Sequence, residues 1–173
     1  GYYGGYLDKI IVWIINVFWS IPTLLLVIAL SLVLGKGFWQ VYIAIGLSIW
    51  VDVARLVRGK VMSEKNKDYV FASKVLGYGD FKILLNNILP NILPPILILS
   101  AANFASSILL ESGLSFLGIG SQPPTPSWGY MIKENYQYII FGNSYLIVIP
   151  SIFLISLVLS FYYLSNFFAS KNT

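Results

Sequence analysis

Four long apolar stretches run along the chain, and a single polar stretch separates the first two from the last two. No charge occurs between Ile10 and Gly35, and a second apolar run covers about Phe38 to Ala54. A third uncharged run extends from Ile83 to Leu110, and a fourth from about Tyr145 to Asn166. Each is near the length of about 20 residues with which a helix crosses a bilayer. The polar stretch, Arg55 to Pro90, has its own pattern. Asn66 can cap a helix through Tyr69, Ala72, Ser73 and Leu76, which recur at helical spacing. Gly77 can stop that helix in the left-handed conformation, and Asp80 can cap a second helix that runs to Pro90. The pattern predicts an all-α polytopic membrane protein with about four transmembrane helices and a short helix–glycine turn–helix outside the membrane.

Composition agrees. The chain of 173 residues is 57% hydrophobic and 10% charged, with mean hydropathy +0.77, whereas soluble domains carry about 25% charged residues. The net charge of +4 does not indicate nucleic acid, because seven of the eleven basic residues fall in the one polar stretch: Arg55, Arg58, Lys60, Lys65, Lys67, Lys74 and Lys82. Basic loops stay on the cytoplasmic side. Lys9 and Lys171 then fall inside, and Lys36 and Lys133 outside, which places both ends of the segment in the cytoplasm. The chain has neither Cys nor His, which excludes disulfides, thiol chemistry, histidine metal sites and Ser-His or Cys-His catalysis. No cleavable signal peptide is visible. Gly1 is not an initiator Met, which suggests an N-terminally incomplete chain. Without repeats, low-complexity tracts or a soluble second domain, residues 1–173 read as one transmembrane domain.

Several residues inside or beside the spans are candidates for more than packing. Pro22 reads as a tolerated kink in the first span or as a bend that shapes a translocation path. Asp52 precedes Arg55 by three residues and can pair with it on one helix face. Pro90, Pro94 and Pro95 predict a helix that enters the membrane bent. Ala101, Ala102, Ala105, Ser106 and Ser107 allow close helix approach, within the chain or against a second subunit. Glu111 ends the third span, either in the headgroup region or at the outer mouth of a pathway. Pro123, Pro124 and Pro126 predict an extended rod over Gln122 to Ser127, with Trp128 as an interfacial anchor. Tyr162, Tyr163, Phe167 and Phe168 form an inner aromatic belt.

Tyr69-Val-Phe-Ala-Ser-Lys-Val-Leu-Gly77, followed at Ile88 by Ile-Leu-Pro-Asn, resembles the EAA loop of ABC importer permeases. Ala72, Gly77, Leu89 and Pro90 match that pattern, Ser73 is a mild change, and Phe71 stands where the family usually has Glu. Ala54-Arg-Leu-Val-Arg-Gly59, Leu114-Ser-Phe-Leu-Gly118 and Gln122-Pro-Pro-Thr-Pro-Ser-Trp-Gly129 are similar to the second, C-type permease of the dipeptide/oligopeptide/nickel group. The similarity runs from Gly1 to about residue 160, and the tail beyond it is less polar and acidic than is usual in the family. The resemblance implies the MetI-like fold of type I importers, with residues 55–90 as a cytoplasmic loop that couples to an ATPase and whose marker residues are Phe71, Ala72, Ser73, Gly77, Asp80, Leu89 and Pro90. It implies a heterodimer with a second permease, two cytoplasmic ATPases that bind ATP and Mg, and an extracytoplasmic substrate-binding protein. Closure of the ATPases would move the helix near Ala72 to Asp80 and tilt the spans. The cargo can be peptide, nickel or siderophore, although the absence of His gives nickel no support.

Other classes fit less well. Gly77-Tyr-Gly-Asp80 matches the GxGD signature of intramembrane aspartyl proteases, but that chemistry needs two carboxylates within the membrane, and Asp80 lies among Lys74 and Lys82 in the polar stretch. No GxxxxGK[ST] sequence occurs, so the chain cannot itself cradle ATP phosphates and reads as a transport subunit rather than an enzyme, with no cofactor or metal of its own. A channel or secondary transporter would want ionisable residues at the bilayer midplane, which the charges here avoid.

Overall fold

The computed structural model describes residues 1–35 and 37–170; Lys36 and Lys171 of the charge count lie outside the described residues. The described elements are helical: α1 (Gly5–Trp19), α2 (Thr23–Leu34), α3 (Phe38–Glu64), α4 (Asp68–Val75), α5 (Asp80–Ile83), a π-helical turn (Leu84–Ile88), α6 (Leu89–Leu117), α7 (Trp128–Asn135), a 3-10 turn (Tyr136–Ile139) and α8 (Tyr145–Ser170). Among the described residues three helical stretches are long and apolar enough to cross a membrane: Phe38–Glu64, Asp80–Leu117 and Tyr145–Ser170. The pair α1 and α2 makes a fourth if counted as one broken span. The all-α, multi-pass architecture agrees with the hydrophobic pattern.

The boundaries differ from that pattern in instructive ways. The first apolar run is not one kinked helix. It breaks at Ser20–Pro22, where Ser20 Oγ donates to the Val17 carbonyl (2.7 Å) and Pro22 adopts φ −55°, ψ 126°. A residue ahead of proline is disfavoured in the α region, so Ile21 cannot carry the helix on. The second run does not end at Ala54; α3 continues as far as Glu64 and carries Arg55, Arg58 and Lys60 on helix. The third begins before Pro90 and passes through it, because the wider π turn ahead of Pro90 accommodates a residue that cannot donate and whose ring crowds the preceding turn. Pro94 and Pro95 lie inside α6 without ending it.

The chain divides into two compact units, and α3, α6 and α8 each contribute a stretch to both. The first comprises Gly1–Ser20, Val51–Ser100 and the chain from Ser165. Its core is Val61, Val70, Ile83, Ile88 and Ile92, so each segment from α3 through α4, α5 and the π turn to α6 supplies one buried aliphatic residue. Arg58 adds a two-pronged ion pair with Asp8 of α1 (2.9 and 2.7 Å). The expected Asp52–Arg55 pair is not among the ion pairs of the described residues. Arg55 instead lays its guanidinium over the Trp19 ring at 3.8 Å and donates to Asn16 Oδ1 at 3.2 Å, because a planar, weakly hydrated cation gains from an aromatic face. Ser165 Oγ of α8 donates to the Ile98 carbonyl in the same unit (2.9 Å).

The second unit comprises Ile21–Trp50 and Ala101–Leu164. Val27, Val41, Ala44, Ile45 and Leu114 form its core. Ala101 and Ala105 of the small-residue stretch are buried, and Phe104 of α6 meets Phe161 of α8 at 4.5 Å between ring centroids. Along α8, Val148, Ile149, Ile152, Phe153, Ile155 and Leu159 are each about half exposed. An apolar face of that extent belongs against lipid or another apolar helix rather than water.

Candidate functional site

The polar stretch folds around α4. Lys67 in extended conformation precedes the helix, and no side chain caps it; Asn66 bonds back to the Met62 carbonyl (3.2 Å) instead of capping α4. The C-terminus follows the sequence expectation. Gly77 has φ +78°, its N–H donates to the Lys74 carbonyl (3.0 Å), and the Tyr78 N–H donates to the Ser73 carbonyl (3.1 Å). Those two bonds are the Schellman arrangement, which needs a residue at ease in the left-handed region. Asp80 is the first residue of α5 and its carboxylate caps nothing; it accepts a hydrogen bond from the Tyr2 hydroxyl at 2.7 Å. Burial, then the Asp80 hydrogen bond, pushes the Tyr2 phenol up to about 12, so Tyr2 remains a neutral donor.

On α4, Val70 and Ser73 face inward while Phe71, Ala72, Lys74 and Val75 face outward. Ser73 donates to the Tyr69 carbonyl (2.8 Å) and accepts from Asn87 Nδ2 (2.6 Å), which fastens α4 to the π turn just ahead of Leu89 and Pro90. Tyr69 donates to Glu64 Oε2 at 2.6 Å, and Lys67 pairs with Glu64 Oε1 at 2.7 Å, anchoring the start of α4 to the end of α3. Burial and the Glu64 carboxylate both raise the Tyr69 phenol. Held this way, the element exposes a run of large apolar side chains: Phe71, Val75, Leu76, Tyr78 and Phe81. Val75 at 88% and Phe81 at 73% exposure are spread out rather than folded back. Lys74 and Lys82 lie beside this surface, Lys82 over the Tyr78 ring at 4.0 Å.

Seven of the residues singled out in the sequence thus fall in one unit, from Phe71, Ala72, Ser73, Gly77 and Asp80 to Leu89 and Pro90. Tyr2 and Asn87, which fix the element, give no sequence signal, because a tyrosine 78 residues away from Asp80 and an asparagine in an apolar run look ordinary. The exposed Val75, Leu76 and Phe81 have no sequence signature either; only the choice of inward face reveals them.

Glu111 and Pro22 belong to the second unit. Glu111 does not end its span. α6 continues to Leu117, and Glu111 is 8% exposed within it, accepting a hydrogen bond from Ser115 Oγ at 2.7 Å. It lines a cavity of about 550 Å³ with Tyr42, Phe104, Trp128 and Met131 among its walls, which Pro22 does not reach. The segment expected as an extended rod is a turn, closed by Thr125 N–H on the Gln122 carbonyl (3.1 Å), with a cis bond between Pro123 and Pro124. It leads into α7, so Trp128 is a helix-start residue on the cavity wall. Among the described residues no group of His, Cys, Asp and Glu is arranged to hold a metal ion.

A family model described as binding-protein-dependent transport system inner membrane component matches residues 1–172. The chain is 39% identical over 154 residues to the dipeptide transport system permease protein DppC of Bacillus subtilis (strain 168), covering 89% of this chain and 48% of that one. It is 40% identical over 161 residues to DppC of Haemophilus influenzae, covering 93% and 54%. It is 39% identical over 134 residues to the oligopeptide transport system permease protein OppC of Bacillus subtilis, covering 78% and 44%. The chain therefore spans about half the length of the curated relatives it matches.

Proposed function

The chain belongs to the family of binding-protein-dependent transport system inner membrane components, and on that footing we propose that it is a membrane-spanning portion of a permease subunit in an ABC importer of peptides. In this reading residues 1–173 act as one permease domain in the inner membrane, paired with a second permease. Two cytoplasmic ATPases hold ATP and Mg, and an extracytoplasmic binding protein delivers the peptide. The names of the relatives support peptide over nickel or siderophore cargo.

The observation that carries the coupling role is the exposed apolar surface of α4 and α5 on a firmly fastened base. Val70, Ser73 and Ile83 are buried beneath, while Phe71, Val75 and Phe81 stand free above. A surface of this kind transmits motion, because its own unit holds it by packing and by the Ser73–Asn87 hydrogen bond. Closure of the ATPases on ATP would shift the helix as a rigid piece, and the preference of ATP for the closed state supplies the driving force. With Phe71 where a Glu is usual, attachment depends on apolar contact more than on charge. Phe71→Ala is expected to weaken attachment of the ATPase about tenfold, the lower end of the roughly 1.5–3 kcal/mol that fully burying such a side chain contributes, because Phe71 is already partly buried. Raising the salt should change wild-type attachment little, since screening acts on charges. Unchanged co-purification of the Phe71→Ala variant would remove the apolar docking surface.

Topology gives a second test. Cysteines at Asn66 and Asn143, both exposed in the structure, are expected to react with impermeant reagents from opposite sides of the membrane, Asn66 from the cytoplasm. Labelling of both from one side would overturn the arrangement of spans.

A further inference from the structure

The cavity in the second unit contains a carboxyl side chain, Glu111, that no basic side chain among the described residues pairs with. Glu111 is 8% exposed. One carboxylate oxygen, Oε1, accepts from Ser115 Oγ. Ser115 is itself fully buried and accepts from the Ser121 N–H at 2.9 Å, so the Glu111 side chain is held by a chain of two hydrogen bonds. Oε2 has no donor among the described residues and keeps access to solvent. Ser127, on the same cavity wall and 7% exposed, has a hydroxyl without a hydrogen-bond partner. A nearly buried carboxylate with one neutral donor gains from a counter-charge brought to it, and the free Ser127 hydroxyl gains from a second polar group. Much of the rest of the wall is aromatic or soft, from Tyr42, Phe104, Trp128 and Met131, and Ser107 adds a second hydroxyl. Aromatic faces attract cations and receive apolar bodies, and about 550 Å³ is the size of a small-molecule site.

We propose that this cavity is a binding site for an ammonium group attached to an apolar body, with Glu111 as the counter-charge, Ser127 as a hydrogen-bond acceptor and the aromatic walls around the body. The inference rests on the peptide-importer reading for its natural ligand, the α-ammonium end of a short peptide with an apolar side chain. A neutral or N-blocked ligand lacks the charge that makes the site favourable, and an anion meets the Glu111 carboxylate.

The test uses the intact transporter in nanodiscs without ATP or binding protein, with labelled phenylethylamine as probe. Wild type is expected to bind it saturably, 2-phenylethanol to compete poorly, and Ala-Phe to compete where N-acetyl-Ala-Phe does not. Glu111→Gln keeps the bond from Ser115 and removes the charge; it is expected to bind phenylethylamine about tenfold to a hundredfold more weakly, the range for a charge-assisted hydrogen bond. The wild-type comparison of amine with alcohol stands even if the variant folds poorly. Equal competition by 2-phenylethanol, equal competition by the N-acetylated peptide, or unchanged binding in a well-folded Glu111→Gln variant overturns the proposal. Uptake of Ala-Phe by the wild-type complex with binding protein and ATP is measured separately. Peptide uptake without Glu111-dependent amine binding leaves the importer reading standing and removes this site; amine binding without peptide uptake does the reverse.

Discussion

Gly77→Val is expected to abolish or strongly reduce peptide uptake while the protein still reaches the membrane. Gly77 has φ +78°, and nothing lies within 4 Å of where a Cβ would sit, so the effect is one of backbone conformation and not of collision. A side chain in the left-handed region costs about 1–2 kcal/mol, and a β-branched one suffers most. Relief comes from abandoning that φ, which breaks the Gly77–Lys74 and Tyr78–Ser73 bonds that end α4. The chain then leaves α4 in another direction, and α5 and the Asp80–Tyr2 bond move with it. The core of the second unit, Val27, Val41, Ala44, Ile45 and Leu114, contains no residue of this turn, so insertion is retained. If the element couples ATP hydrolysis to transport, hydrolysis continues without uptake or the ATPase dissociates. Gly77→Asn serves as the control, since Asn enters the left-handed region readily, and is expected to stay near wild type. Normal ATPase attachment and normal uptake in Gly77→Val would show that the element is not the coupling device.

Gly129→Ala is expected to produce the largest loss of stability of any single methyl addition to the chain. Gly129 lies in the first turn of α7, and a Cβ there would overlap the backbone carbonyl of Ser112 in α6. Backbone cannot rotate aside as a flexible side chain can, so α7 must lift from α6. Overpacking costs about 1–3 kcal/mol even where side chains absorb it, and here the upper end applies. A fall of several degrees in the melting temperature of the detergent-solubilised protein follows, at about 2–4 °C per kcal/mol. Trp128 moves with α7, so phenylethylamine binding in the cavity falls as well. Gly113→Ala is the contrasting change. It sits within α6 with nothing within 4 Å of its Cβ position and is expected to raise stability by up to about 1 kcal/mol. A Gly129→Ala protein that melts with wild type would mean that α7 does not pack on α6 as described.

The two glycines separate what could be read from what could not. Gly77 was legible, because a helical period that ends on glycine before a second polar stretch requires a stop, and the requirement is local. Gly129 sits in a proline-rich stretch where glycine looks like one more turn residue. Its closeness to Ser112, 17 positions earlier, is a tertiary fact. The same division holds for charges. Asp52 and Arg55 looked paired because helix spacing brings them to one face, but Arg55 had a better partner in Trp19, 36 positions away. Glu111 looked like the end of a span because the count of uncharged residues stops there. The helix passes it because Ser115 and a buried setting hold the carboxylate inside.

The sequence by itself determined the class of the protein. Long runs without charge leave the backbone no option but helices that satisfy their own hydrogen bonds in lipid, and the placement of basic residues, Gly77 and the Leu89–Pro90 pair located the polar element that resembles a coupling loop. These are local or compositional properties, summed along the chain, and they survive without knowledge of any contact. Tertiary structure decided where helices begin and end, which face of α4 turns inward, and which polar groups meet. Pro22 breaks a helix and Pro90 does not, since a π turn ahead of Pro90 gives the ring room while α1 ends at Trp19 and Pro22 itself takes ψ 126°, outside the α region. Phe71 and Val75 are exposed because Val70 and Ser73 were taken by Ile83, Ile88 and Asn87. Glu111 became a cavity residue because Trp128 and Tyr42, from elements distant in sequence, close around it. Each of these outcomes is a competition among partners far apart along the chain, and only packing in three dimensions decides which partner wins.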